Sequence, residues 1–239
     1  MGHGWEGAVL KLFRAKDFKF TVTGAEQVTE HYRRLTFTDG GLLAALGVHP
    51  TMWVRLWFDN DGRPHQRGYT LVDPDVENGA FAIEFALHDG CASDWSRTAK
   101  PGDVIEASVQ GTGFTEPDPS PERLLVVGDA ASLPAINSLL DAFPETPATI
   151  WFETADDDEL PFRVDPIRHD LRKIARGEDG AALLEQVREE LPHFTKEPER
   201  IYLWIAAEAK STRALTAFAR KELGVPKQRA HTLAYWRAA

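Results

Sequence analysis

At 239 residues with 43% hydrophobic side chains, the chain is long enough for one large domain or two ordinary ones, each around a real core. A net charge of −10 speaks against nucleic acid or an anionic membrane as partner, since both favour a basic face. The single cysteine, Cys91, excludes an intrachain disulfide and a cysteine metal cluster, and no apolar run approaches the roughly 20 residues that span a bilayer.

Met1 to Glu6 lacks the cationic-then-apolar order of a signal peptide, so a cytoplasmic location is expected. From Phe18 to Thr38 the pattern is strand-like, with turn signals at Thr23-Gly24 and Asp39-Gly40. Gly41 to Gly47 reads as a loop or a single helical turn. Met52 to Phe58 is a strand with both faces largely apolar. The segment Asp59 to Pro64 is rich in turn residues, and Arg67-Gly68-Tyr69-Thr70 follows it. Phe81, Ile83, Phe85 and Leu87 alternate with Ala82, Glu84 and Ala86, a period of two. Val104 to Val109 is another short strand. Five or six antiparallel strands are therefore expected up to about residue 115, and a small barrel closes them with few bare edges.

Glu116 to Glu122 carries three prolines in seven residues, which reads as a semi-rigid connector. The expected domains are 1–116 and 122–239, with the linker at 117–121. After it the rhythm becomes strand–helix–strand. Leu124 to Val127 is a continuous apolar run, as in a parallel strand covered on both faces. Ser132-Leu133-Pro134 reads as a helix start, with Ile136, Leu139, Leu140 and Phe143 on one face. Thr149 to Phe152 and Ile201 to Ile205 read as strands, and Ala181 to Leu191 as a helix. Ser211 to Leu223 reads as a helix with a Ser or Thr cap and Gly224 as its stop. His231 to Trp236 reads as a last strand. This alternation predicts a parallel sheet with helices on its faces. The fold class expected is α+β: an antiparallel β-barrel followed by an α/β parallel-sheet domain.

Four stretches carry candidate chemistry. Arg67, Tyr69 and Thr70 offer a cation for a phosphate, an aromatic for a flat ring and a hydroxyl for that ring's edge, as a flavin nucleotide requires. His88-Asp89-Gly90-Cys91-Ala92-Ser93-Asp94-Trp95 is a glycine turn feeding a short helix, whose backbone N–H groups suit a phosphate; a capped helix after a strand is the plain alternative. Gly128-Asp129-Ala130-Ala131 lies at the carboxyl end of the first parallel strand, where open α/β sheets bind ligands, though G-x-G-x-x-G is absent and an ordinary strand–helix turn is the equal alternative. Ala206-Ala207-Glu208 and Tyr235-Trp236-Arg237 complete the set. The acidic run Asp156 to Glu159 reads first as a solvated acidic loop; the alternative is that a carboxylate there suits a free ribose 2′-hydroxyl and favours NADH over NADPH. The histidines are scattered without a ligand pair, so no permanent metal site is expected. No P-loop and no Gly-x-Ser-x-Gly elbow occurs.

Arg67 to Thr70, the His88 loop, Lys100-Pro101-Gly102-Asp103, Gly128-Asp129 with Leu133-Pro134-Ala135-Ile136, Trp204 to Glu208 and Tyr235-Trp236-Arg237 stand in the order seen in siderophore-interacting proteins. The chain resembles that family from about residue 18 to 237. The resemblance implies an FAD-dependent, NAD(P)H-dependent ferric-siderophore reductase related to ferredoxin–NADP reductases. On it, Arg67, Gly68, Tyr69 and Thr70 serve the flavin, while His88, Gly90, Ala92, Ser93 and Trp95 line its pyrophosphate loop. Gly128, Asp129, Ala130, Ala131 and Glu208 face NADH or NADPH, and Trp236 lies near the flavin face where nicotinamide enters. No side chain is expected to be catalytic, because the flavin carries the chemistry. The chain departs from the family on the nicotinamide side. Ala130-Ala131-Ser132 stands where Glu-Thr-Ala is usual, Ala207 replaces a glycine, and Ala238-Ala239 follow the Tyr-Trp-Arg. Two other readings stay open: a flavin enzyme with another acceptor, and a non-catalytic binder of a flavin or siderophore.

Overall fold

The computed structural model describes residues 16–109, 112–154, 159–177 and 180–238. The chain forms two compact units, one ending at Phe114 and the other beginning at Thr115. Among the described residues no helix is long and apolar enough to cross a membrane.

The first unit contains β1 (Lys16–Thr29), β2 (Tyr32–Thr38), α1 (Leu42–Leu46), β3 (Trp53–Asn60), β4 (Arg63–Thr70), β5 (Val72–Asp75), β6 (Ala80–Ala86), α2 (Cys91–Thr98) and β7 (Val104–Val109). Its seven described strands pair antiparallel in the order β4-β3-β7-β1-β2-β6-β5. Alternate residues turn inward, as a period of two requires. Phe20, Leu35, Phe37, Val54, Leu56, Ile83 and Phe85 are buried in one core, where the Phe20 ring meets Phe81 edge-on at 4.9 Å. The sheet's two outer strands, β4 and β5, are consecutive in the chain with only Leu71 between them. The curled sheet is thus joined at its edges by the covalent chain, with no ladder between them.

Two expectations change here. Thr23-Gly24 is no turn: it lies inside β1 at a register shift between Val22 and Gly24. A Cβ on Gly24 would sit 2.6 Å from Thr36 Oγ1, so the glycine admits the partner strand at a bulge. The Arg67–Thr70 stretch, read as following a turn-rich segment, lies on a full strand, β4. That strand and β5 escaped the pattern because both are edge strands rich in polar residues, β4 largely exposed and β5 mostly half-buried.

The second unit contains β8 (Arg123–Asp129), α3 (Leu133–Ala142), β9 (Ala148–Thr154), β10 (His169–Ala175), α4 (Ala181–Phe194), β11 (Ile201–Ala206), α5 (Ala209–Lys221), a 3-10 turn (Lys227–Arg229) and β12 (Ala230–Thr232). The strands are all parallel, in the order β10-β9-β8-β11-β12. β8, β9 and β11 are almost wholly buried, which explains their continuous apolar runs. β10 was not expected. His169-Asp170-Leu171-Arg172-Lys173 is an edge strand half open to water, so no apolar run marks it. The last strand is shorter than read, Ala230–Thr232, and Trp236 returns only as an isolated bridge to Glu208. α5 begins at Ala209 and is capped by Glu208, not by Ser or Thr: its carboxylate accepts from the N–H groups of Lys210 and Ser211.

Going up the chain, β8 leads toward β9 and β10 on one side, while β11 and β12 fill the other. The order therefore reverses between β8 and β11, and ligands of open α/β sheets bind outside the carboxyl ends of the strands at such a point.

Candidate functional site

In the first unit the site grows from β4. Ladder pairing sets Tyr69 opposite Val54 and Arg67 opposite Leu56, so both side chains leave the same face. Arg67 is exposed, with Nη1 donating only to the neighbouring Gln66 carbonyl at 2.9 Å. The Tyr69 ring packs 4.6 Å from Phe85 and 6.2 Å from Phe58. Burial pushes its phenol well above the ordinary tyrosine range, against the pull of the Arg67 charge, so the ring is a neutral platform at any working pH. Thr70 faces the other way and is 4% exposed, and its buried Oγ1 has no hydrogen-bond partner among the described residues. Gly68 lies against Trp53, where a Cβ would make ordinary contact at 3.5 Å.

The His88 loop is shaped by its own hydrogen bonds. The His88 N–H donates to Ser93 Oγ at 3.1 Å, and His88 Nδ1 lies 2.7 Å from the Asp89 carbonyl. Arg97 ties the first turn of α2 back to the loop through Asp94 and the His88 carbonyl. Gly90, at φ +141°, occupies backbone space closed to side chains, and no side chain caps α2 there. The first N–H groups of a helix have no partner within it; here they emerge beside Gly90. Ser93, expected to line the pyrophosphate loop, is buried, as is Ala92, and its Oγ is engaged by the His88 N–H. The Trp95 ring lies 5.8 Å from Phe58 and 6.3 Å from Phe85. The same two phenylalanines thus carry Tyr69 and Trp95, and bring the β4 motif and the His88 loop to one place. Sequence reading had assigned both to the strand pattern alone.

A flavin nucleotide fits this surface. Thr70 has an unpaired buried hydroxyl, and burying one without a partner is costly. Tyr69 supplies a neutral ring, Arg67 an exposed guanidinium, and the start of α2 a set of uncapped N–H groups.

In the second unit the site gathers at the carboxyl ends of β8, β9, β10 and β11. Gly128 ends β8 against α3, and a Cβ there would fall 2.4 Å from Ser132 Oγ and 2.7 Å from Ile136 Cδ1. The Asp129 N–H donates to Ser132 Oγ at 2.9 Å, Ser132 Oγ donates back to the Asp129 carbonyl at 3.0 Å, and the Ala131 N–H donates to Asp129 Oδ1 at 3.0 Å. Asp129 Oδ2 accepts from the Trp236 indole at 2.6 Å. The expected residues Asp129, Glu208 and Trp236 do meet: Trp236 bridges to Glu208, and its carbonyl accepts from Ala209 at 2.9 Å. Ala130 is half-buried and Ala131 exposed, both on this turn.

Two residues that sequence reading missed join them. Glu153, at the end of β9, is paired in register with Asp129 and is buried, its Oε1 without a partner among the described residues. Arg176 follows β10; its guanidinium stacks 4.6 Å from the Trp236 ring centre and lies 3.9 Å from Glu153. Burial pushes the Asp129 carboxyl up to about 6, with the Glu153 charge adding and the Trp236 donor opposing. Burial also raises Glu153, against the pull of Arg176. Burial works against the Glu208 charge too, but the backbone N–H groups of α5 outweigh it and hold that carboxyl below its usual range. The residues Asp156 to Asp158 of the expected ribose-reading run lie outside the described residues.

Residues 27–109 match the family model of the siderophore-interacting FAD-binding domain, and residues 121–239 match that of the siderophore-interacting protein. The mycobactin import ATP-binding/permease protein IrtA of Mycolicibacterium smegmatis is 33% identical over an alignment of 245 residues that covers 99% of this chain and 28% of that protein. The chain therefore spans about a quarter of the length of that relative. An NADPH-dependent ferric-chelate reductase of Escherichia coli is 27% identical over 188 residues, 74% of this chain and 68% of the other. The solved siderophore-interacting protein of Acinetobacter baumannii shares the fold with a TM-score of 0.80 at 21% identity, over 94% of this chain and 92% of that one. With both of its units matched by models of one family, an FAD-binding domain first and the nucleotide-type sheet after it, the chain belongs to the siderophore-interacting proteins.

Proposed function

We propose that the chain is an FAD-dependent NAD(P)H:ferric-siderophore reductase acting in the cytoplasm, where NAD(P)H is kept reduced. The observation that carries this reading is the placement of Tyr69 and Arg67 on one face of β4, with Tyr69 and Trp95 of the His88 loop packed on the same Phe58 and Phe85, within the stretch that matches the FAD-binding family model. FAD, when bound, supplies acceptance of a hydride and release of electrons one at a time.

The residues divide the work. Thr70 donates to the flavin edge, Tyr69 supports the flavin ring, and Arg67 takes the phosphate side. Gly90 and the uncapped start of α2 meet the pyrophosphate, with His88, Ala92, Ser93 and Trp95 shaping that turn. Ser93 acts by holding His88 in place. On the second unit Gly128 to Ala131, with Glu208, receive the dinucleotide, and Trp236 stands at its entry. Each NAD(P)H oxidised yields NAD(P)+, one proton and two electrons, enough for two ferric ions. The ferric chelate is the substrate: iron(II) binds hard oxygen donors more weakly, so reduction releases it. No side chain needs to move a proton in the electron transfer, and none is assigned a catalytic role. The name of the Escherichia coli relative supports the acceptor class and NADPH as donor.

Purified protein incubated with FAD and freed of excess is expected to be yellow. Under argon, NADPH or NADH bleaches it, and a ferric siderophore restores the colour while a ferrous chelator traps iron(II). Colourless protein after FAD incubation sinks the proposal. Bleaching that ferric chelates do not reverse replaces the acceptor and keeps the flavin.

A further inference from the structure

The last stretch of the chain has a charge balance opposite to that of the whole. From Ala209 onward seven lysines and arginines stand against one acidic side chain, Glu222, in a chain of net charge −10. Apart from the buried Arg229, all of these cations are exposed. Arg213, Arg220 and Lys221 line a groove of about 380 Å³ between α5 and the end of the sheet, with Thr216, Thr232 and Ala234. No carboxylate lines it, and among the described residues none of the three cations is in an ion pair. Helix α5 turns Leu215 and Ala219 into the core, so Arg213 and Arg220, two turns apart, share its outer side.

The other wall of the groove is a strand edge. β12 is the outermost strand of its sheet. The Leu233 N–H donates to the Ile205 carbonyl at 2.9 Å and the Tyr235 N–H to the Ala207 carbonyl at 3.0 Å, so the chain stays extended beside β11 past the last ladder pair. Alternation along such a strand turns the backbone groups of Thr232 and Ala234 the opposite way, away from β11. Those are the two residues that line the groove. An open edge is a template for pairing with another chain, and here the neighbouring charges select what can pair.

We propose that β12 and α5 form a docking groove for an extended, carboxylate-rich segment of a partner protein, which adds to the sheet as a strand beside β12. Backbone bonds to Thr232 and Ala234 fix its register, and its carboxylates meet the helix cations. The spacings agree. Arg213 and Arg220 lie about 10 Å apart along the helix, and three successive same-face positions of a strand span about 13 Å. Charge complementarity favours this occupant: the acidic remainder of the chain repels it, and this edge alone attracts it.

The test uses the FAD-loaded full chain and a fluorescein-labelled peptide of alternating glutamate and threonine, read by fluorescence anisotropy at low salt. The peptide is expected to bind, and its lysine–threonine counterpart is not. Arg213→Gln with Arg220→Gln should weaken binding about three- to tenfold. Ala234→Pro removes one edge N–H and leaves both bonds to β11 in place, so it should weaken binding about fivefold. The same peptide N-methylated along its backbone makes that second test without touching the fold, and should also bind about fivefold or more weakly. Equal binding by wild type and the double variant overturns the proposal. So does equal binding of the plain and N-methylated peptides, because the site is then a charged surface and no strand is added. Vesicles containing phosphatidylserine that bind while the peptide does not would make the edge a membrane contact and overturn the protein partner. Sedimentation showing a dimer that the double variant dissociates would make a second copy of this chain the occupant, and overturns it equally.

Discussion

Asp129→Asn is expected to stabilise the protein at neutral pH, although it removes a charged hydrogen-bond acceptor. Asp129 is 6% exposed. Its carboxyl is pushed up to about 6, first by burial and then by the Glu153 charge, while the Trp236 indole and nearby backbone donors pull the other way. In the unfolded chain the same group titrates near about 3.9. The folded state therefore holds the proton more tightly, and ionised Asp129 costs stability above its folded pKa. Two units at about 1.36 kcal/mol each make that cost about 3 kcal/mol at pH 7.5. The cost shrinks as the pH falls through 6 and is gone below about 4, where both states are protonated. Asparagine carries no charge and its Oδ1 still accepts from the indole. The Ala131 N–H, now facing the amide NH2, loses its acceptor at about 1 kcal/mol. The net gain is about 2 kcal/mol at pH 7.5. Urea denaturation followed by tryptophan fluorescence at pH 7.5 and pH 4.5 measures it. The variant should be the more stable at pH 7.5 and should lose that advantage, or reverse it, at pH 4.5. Destabilisation by the same amount at both pH values would refute the reasoning, because then the carboxylate is not paying for its burial.

Two further outcomes follow from packing and polarity. Thr70→Val should weaken FAD retention about 5- to 10-fold in a fluorescence titration, the value of one hydrogen bond. Because Oγ1 has no partner among the described residues, the same change should leave the FAD-free protein as stable or more so; equal FAD affinity in both proteins removes the assigned role. Gly128→Ala should cost about 1–3 kcal/mol in denaturant unfolding through overpacking, since the added methyl meets Ser132 Oγ at 2.4 Å and Ile136 Cδ1 at 2.7 Å. A neutral result would show that α3 can shift off β8.

What was legible in the sequence was what adjacent residues decide. The buried run Leu124 to Val127, followed by Ser132 and a proline at the start of α3, announced a strand–helix turn at a carboxyl edge. The glycine before α2 announced the His88 loop. What stayed hidden depends on topology. Arg176 and Glu153 leave different strands, and Trp236 is 107 residues from its partner Asp129; only the strand order β10-β9-β8-β11 lines them up. β10 and β4 were obscured by edge chemistry, since strands with one side in water need no apolar alternation. The cap of α5 misled for a local reason. Glutamate is not among the favoured capping residues, so Ser211 or Thr212 looked the better cap. Thr212 instead bonds back to the Ala207 carbonyl at 3.2 Å and leaves the cap to Glu208.

The departures at Ala130 and Ala131 bear on whether the nucleotide crevice could still be built. A carboxylate and a hydroxyl are missing there relative to the family pattern, and side chains at such a turn can serve either the turn or the ligand. Here the turn is closed without them. Asp129 accepts from Ala131, Ser132 accepts from and donates to Asp129, and the Ser132 carbonyl receives the N–H groups of Ala135 and Ile136 at 3.0 Å each. Every one of these bonds uses either the backbone or the side chains of 129 and 132. The strand-to-helix geometry therefore survives the loss of Glu and Thr, and Gly128 still lets α3 approach closely. What the two alanines give up is direct contact chemistry at positions that are half-buried and exposed. In their place the structure offers Glu153 and Arg176 from the neighbouring strands. These two polar side chains stand one and two strands along the sheet from the turn after β8, at the ends of β9 and β10.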